Sequence, residues 1–576
     1  MASYVISPVK TSLVILMLLI LSACGGGGSN DNSQNPVPPA PPPAPPAPPP
    51  VAVDSSHRID AARLLTQATY GPLANNNEET AYVIANDGHE VWIANEVSKA
   101  PSFHAPLTTQ ALSMFPNDED QIRRIHRLQA WWHASAFGED QLRQRMAFAL
   151  SQLFVVSEKS QLGNYQLALA NYYDIHVRNA FGNYRDILEE VTKSPVMGLY
   201  LSTLGNERPQ PERNIRPDEN FARELMQLFT IGLVELNRDG SVKRNQQGEA
   251  IPTYDQAIIE GYAHVFTGWN FNAATAQTWY QYRRNVNFID PMTLVDAFHD
   301  TGEKVLLNST IVPAGTDGEI ALDIALDSLF NHPNLPPFVA RHFIQRFVTS
   351  NPSPSYIERV AIALEDNGNG VRGDMLAMIT AVLNDSEARS ESAYAQTEFG
   401  KVKEPLIRAT NIVRALLPTA ENNNVMSFLE IANIDYFTNQ APLSSPSVFN
   451  FFSPDYQVNG ELAELGMVTP EMQILTANYL VRNHNFAAFY LYSENFRNRP
   501  EHIFPDYSLF AETLANDQES LFAQFSLLFM QGDMDEQFIQ VLQDYDEQVT
   551  PFVDESARVR EMLNLMLTSP QFAIQR

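Results

Sequence analysis

Six side chains carry the candidate chemistry of this 576-residue chain. Arg223 and Glu224 stand side by side in an otherwise apolar helical run. Glu260 and His264 are spaced i,i+4, which puts them on one face of a helix. His299 and Asp300 sit on a loop just before Lys304. Carboxylates and imidazoles together can hold a hard or borderline cation, or move protons as acid and base. A plainer reading uses the same residues as ion pairs and helix caps of a packed body. No Gly-x-Ser-x-Gly, His-Glu-x-x-His, Walker A or dinucleotide-binding pattern is present to decide between them. The sequence therefore leaves metal, cofactor and reaction open.

Other polar groups divide in the same way. Lys403-Glu404 before Pro405 reads as a charge pair at a helix N-terminus, with a site as the alternative. The run from Glu365 to Gly370 imitates a calcium loop, but its first position is Glu365 and its twelfth is Leu376. It reads as a polar turn whose Asp374 caps the next helix. Trp131-Trp132, with His126 and His133, reads as core and the edge of core rather than an aromatic platform. Arg123, Arg124 and Arg127 form a dense basic cluster that could hold an anion. Asp118, Glu119 and Asp120 are the expected ion-pair partners.

The elements that must position these groups are helices. Apolar residues recur at helical spacing over 60–70, 121–137, 141–156, 165–181, 184–193, 217–232, 255–268, 319–330, 337–348, 356–365, 375–383 and 402–417, and 470–491 predicts the longest helix. Leu225, Leu228 and Phe229 predict a buried stripe on the 217–232 helix. Thr253-Tyr254-Asp255-Gln256 predicts a capping box. One β-hairpin is expected, with strands at 233–237 and 250–253 and turns at Asp239-Gly240 and Gln247-Gly248. Helix ends near 186–200, 375–389 and 562–576 resemble one another. Ser194 and Ser569, each before a proline, are expected N-caps. Shared punctuation accounts for the likeness, with an old duplication as the alternative. The expected fold is mainly α: one large multi-helix body over 54–576 with a small β-hairpin insertion.

The run Asn220-Phe221-Ala222-Arg223-Glu224-Leu225-Met226-Gln227-Leu228-Phe229-Thr230-Ile231-Gly232 is long enough to be specific. With Phe266-Thr267-Gly268-Trp269, Phe298-His299-Asp300, Lys403-Glu404-Pro405 and Pro446-Ser447-Val448-Phe449, it resembles the bacterial domain-of-unknown-function family numbered 1800. The resemblance covers roughly 57–576. It implies a largely helical, usually exported protein with no established activity. It also implies an exported partner resembling alkaline phosphatases and sulfatases, whose genes often lie beside those of the family. Members commonly carry a Trp-His-Asn-His-Phe run where this chain has Leu150-Ser151-Gln152-Leu153-Phe154. A site built on those histidines would be missing here.

The N-terminus says where such a body would work. Lys10 precedes a nine-residue apolar run from Leu13 to Leu21, too short to span a bilayer, which takes about 20 residues. Leu21-Ser22-Ala23-Cys24 reads as a lipobox, and Cys24 is the only cysteine. Residues 1–23 are thus expected to be a lipoprotein signal peptide, cleaved before an acylated Cys24. Gly25, rather than Asp, follows the cysteine, as in lipoproteins sorted to a Gram-negative outer membrane. Residues 24–53 form a Gly/Ser/Pro-rich tether. Its proline-rich 36–53 stretch would reach about 55 Å as polyproline II; the alternative is a ligand for a partner domain. The whole chain has 38 basic and 67 acidic residues, net −29. Losing Lys10 with the signal makes it one charge more acidic. Such a charge excludes a sequence-blind grip on nucleic acid and leaves membrane attachment to the lipid. A single cysteine excludes a disulfide scaffold and thiolate-clustered metal sites. The expected role is a binding or scaffold component of the envelope, periplasmic or surface-facing; the alternative is a metal-dependent or carboxylate-based hydrolase.

Overall fold

A computed structural model describes residues 50–113, 121–396, 398–417, 433–493 and 505–576. The chain divides into Met1–Pro50 and Val51–Arg576. The signal segment, Cys24 and the tether up to residue 49 lie outside the described residues. The second unit is mainly α. Helices make up 58 % of the described residues. Named strands among the described residues form three two-stranded antiparallel ladders. They are β1 (Trp269–Asn270) on β2 (Thr293–Leu294), β3 (Lys304–Val305) on β4 (Ile311–Val312), and β5 (Lys401–Val402) on β6 (Ile574–Gln575).

Local rules place most helices where periodicity predicts them, among them Tyr184–Lys193, Gln141–Leu153 and Met375–Asn384. Their caps follow side-chain chemistry. Ser194 accepts from the Val196 N–H, Asp374 from Leu376 and Ala377, and Ser569 from Phe572. The Glu365–Gly370 run is a polar turn: one Asp366 carboxylate oxygen takes the Gly368 and Gly370 N–H groups at 2.8 Å each. Trp131 and Trp132 are core, 1 % and 0 % exposed. The Trp131 ring meets Tyr70 edge-on at 5.2 Å.

Several expectations are corrected. The 217–232 helix is shorter, Asn220–Gln227, and ends in a tight turn where Ile231 and Gly232 both donate to the Met226 carbonyl. Leu225 and Phe229 are fully buried as predicted, while Leu228 is only partly buried at the core edge. The capping box is not formed. Asp255 caps Gln256–Val265 by accepting from Ile258, and Thr253 instead donates to the Gly232 carbonyl at 2.6 Å. The hairpin is a three-segment meander, because both turn dipeptides reverse the chain: Leu236 bridges Val242, Arg244 bridges Ala250, and Val234 bridges Pro252. The predicted 470–491 helix is broken into a 3-10 turn, Pro470–Gln473, and a helix, Ala477–Leu491, with extended Thr476 between them.

Arg124 and Arg127 of the basic cluster are ion-paired. Glu158 accepts from Arg124 and Arg127 at 2.7 Å each, and Asp435 lies 3.1 Å from Arg124. Asp118, Glu119 and Asp120 lie outside the described residues. Lys403 and Glu404 do not form a pair at the helix start. Lys403 lies 4.4 Å over the Phe572 ring, and Glu404 accepts from Gln152 and Gln440 at 2.6 and 2.7 Å. Gln152 thus belongs to a buried polar network with Glu404 and Gln440.

Candidate functional site

Helix Gln256–Val265 and the loop after it bring distant residues together. Gly261 lets the helix lie against β3: a Cβ there would meet the Val305 carbonyl oxygen at 2.3 Å. His264 lies in the last turn of that helix. The chain then turns at Gly268, whose φ of +89° suits glycine. A Cβ on Gly268 would also come within 2.9 Å of the His299 backbone. The β1–β2 ladder returns the chain, and His299 and Asp300 arrive beside Thr267.

Thr267 is the hub of this junction. Its hydroxyl donates to the His264 carbonyl at 2.8 Å and accepts from the Asp300 N–H at 2.9 Å. Its carbonyl accepts from His299 Nδ1 at 2.9 Å. That fixes the bare lone pair of His299 on Nε2, which is buried and has no partner. Burial lowers the His299 pKa, so this ring is neutral. The Asp300 carboxylate accepts from His264 Nδ1 and from the Gly302 N–H. The His264 hydrogen bond is the chief cause that brings Asp300 down to about 2. Lys304 donates to the Asp300 and Gly302 carbonyls, steadying the loop. With Nδ1 committed to an ionised Asp300, His264 keeps Nε2 as its acceptor nitrogen on a side chain 33 % exposed. This arrangement can take a proton from a hydroxyl or a water.

Asp300 also opens onto a cleft of about 650 Å³. Arg208, Gln210, Arg213, Glu212, Phe298 and Thr301 share its wall. None of the first three was singled out in the sequence. The available signal was three arginines, Arg208, Arg213 and Arg216, within nine residues of an acidic chain.

The remaining candidates lie in two other settings. Arg223, Glu219, Gln256 and Glu260 form a surface chain: Arg223 to Glu219 at 3.2 Å, Gln256 to Glu219 at 3.0 Å and to Glu260 at 3.3 Å. Glu224 is 7 % exposed, and its Oε2 has no hydrogen-bond partner. Burial pushes its carboxyl pKa up, against a smaller pull from Arg223. The structure thus unites His264, His299 and Asp300, but not Glu224 or Glu260 with them. Among the described residues no group of three or more His, Cys, Asp or Glu is placed to hold a metal ion. Nor is any described helix long and apolar enough to cross a membrane.

Fold and site together define a large helical protein whose polar junction lies between a helix end and a short β ladder. The sequence profile of the family described as "Protein of unknown function (DUF1800)" matches residues 63–574, nearly the whole chain, and the protein belongs to that family. No curated protein and no solved structure matches it.

Proposed function

We propose that the protein is a lipid-anchored component of a Gram-negative outer membrane, periplasmic or surface-facing, whose helical body binds a partner or ligand at the cleft beside Asp300. The cleft carries this reading: about 650 Å³ of polar space at the junction built from the family motifs. The lipobox at Cys24 and the proline-rich tether support the anchor. An exported protein resembling alkaline phosphatases and sulfatases is the partner the family resemblance favours. Nucleic acid does not fit a net charge of −29. Affinity capture from detergent-solubilised envelope tests the reading. The wild-type chain should retain a partner that Thr301→Trp, which crowds the cleft, does not. Equal capture by both would remove the cleft from the binding surface.

One observation favours a second reading, a carboxylate-based hydrolase. An ionised Asp300 orienting His264, with Nε2 left as acceptor, is the geometry of a general base acting on water. His264→Gln should then abolish turnover while leaving capture intact. Under the binding reading, it has no turnover to abolish.

A further inference from the structure

The cleft is flanked by arginines that the acidic chain leaves unpaired. Several arginines near the surface elsewhere find carboxylates: Arg185 meets Glu189, Asp323 and Asp327, Arg359 meets Asp385, and Arg558 meets Asp546. Even with 67 acidic against 38 basic residues, not every arginine has an acid: exposed Arg244 donates instead to the Gly248 carbonyl at 2.9 Å. Among the described residues Arg208, Arg216, Arg283 and Arg284 are exposed and make no ion pair. Arg213 is the one cation here with a carboxylate, Glu207 at 3.4 Å.

Contacts tie the segments that carry Arg208 and Arg283 to one aromatic stack. The Arg208 N–H donates to the Phe298 carbonyl at 2.9 Å. The Phe298 ring stacks on Trp279, with centroids 4.3 Å apart and planes at 15°. Trp279 opens the short helix Trp279–Arg284, which carries Arg283 and Arg284. Arg283 lies so close to Gly205 that a Cβ there would be 3.0 Å from its Nε. Arg284 lies 4.9 Å over the Tyr280 ring. An aromatic stack thus sits between the segments that carry Arg208 and Arg283, at the wall of a polar cleft.

We propose that the Arg208–Phe298 wall of the cleft, with Arg283 on its flank, is a binding site for a small organic oxyanion. The acid group would be a phosphate, sulfate or carboxylate. This rests on the reading of the cleft as the working site and gives its ligand class. A guanidinium offers two parallel N–H groups to an oxyanion, with a strength and geometry that a lysine lacks. Phe298, partly exposed and braced by Trp279, offers a flat apolar surface to the organic part. Glu212 and Asp300 line the same cleft and the body is acidic, so the ligand must be held by close guanidinium contacts rather than by long-range attraction.

The test is calorimetric titration of the full chain in detergent with phenyl phosphate, phenyl sulfate and benzoate, and with benzyl alcohol as the uncharged control. At least one of the acids should bind saturably, and the alcohol should not. Arg208→Gln should weaken binding about tenfold or more, and Arg208→Lys and Arg283→Gln by less. Arg58→Gln, an exposed arginine paired with Glu78, should change nothing. Flotation with phosphatidylcholine vesicles, with and without phosphatidylglycerol, separates a lipid headgroup from a free ligand. The proposal is overturned if none of the three acids binds, if Arg58→Gln weakens binding as much as Arg208→Gln, or if only the anionic vesicles bind. Cleft-dependent capture without oxyanion binding would overturn this inference alone. Oxyanion binding without capture would overturn the partner reading alone.

Discussion

Glu224 shows how one residue can break the expectation drawn from its neighbours. Arg223 beside it is ion-paired to Glu219, but Glu224 is buried with an unsatisfied oxygen. Its folded-state pKa is raised, so ionising it works against the fold. The sign follows: stability associated with Glu224 is present below its unfolded pKa and falls as pH rises through the raised folded value. Glu224→Gln should therefore leave the midpoint of thermal unfolding at pH 8 unchanged or raised, with a smaller difference at pH 5. A large drop at pH 8 would show that the carboxylate has a partner that stabilises it. The spacing of Glu224 in its helix was readable from the sequence. The want of a partner was not, because it depends on what other segments bring near.

At the scale of elements, glycine and glutamate do the joining. Gly268 sits at φ +89° with the His299 backbone against it. Gly268→Ala combines a left-handed alanine with a clash, a cost of about 1–3 kcal/mol. Thermal unfolding measures that cost. Glu158 links the Arg124–Phe137 helix to Ser444 and Asp435's neighbourhood through Arg124, Arg127 and the Ser444 hydroxyl. Burial alone would raise its pKa, but Arg127 and Arg124 outweigh burial and hold it at about 2. Its stabilisation is complete above the ordinary carboxylate value and is lost as pH falls from about 4.5 toward about 2. Glu158→Gln leaves two arginines without their shared carboxylate and should cost about 3–5 kcal/mol at pH 7. Chemical denaturation at pH 7 and pH 3 checks both the size and the loss of the difference in acid.

At the scale of the whole molecule, the ends matter most. The C-terminal strand β6 closes on β5, and Gln575 donates to the Phe347 carbonyl at 2.6 Å, so the last residues are part of the core. At the other end, the proposed anchor has no described helix to replace it. Cys24→Ser should move the protein from washed membranes to the soluble fraction. Persistence in the membrane with the signal peptide removed would count against the lipid anchor. The sequence alone determined the helical class, the family and the caps at Ser194, Asp374 and Ser569. Each of these is written in short-range periodicity or in a side chain reaching a backbone N–H two or three residues away. Tertiary structure alone decided that His264 meets Asp300, 36 residues on, that Glu158 takes Arg127, and that Arg208 lies beside Phe298. Those pairings depend on how helices and loops pack, and no local spacing encodes which distant charge will fill the space.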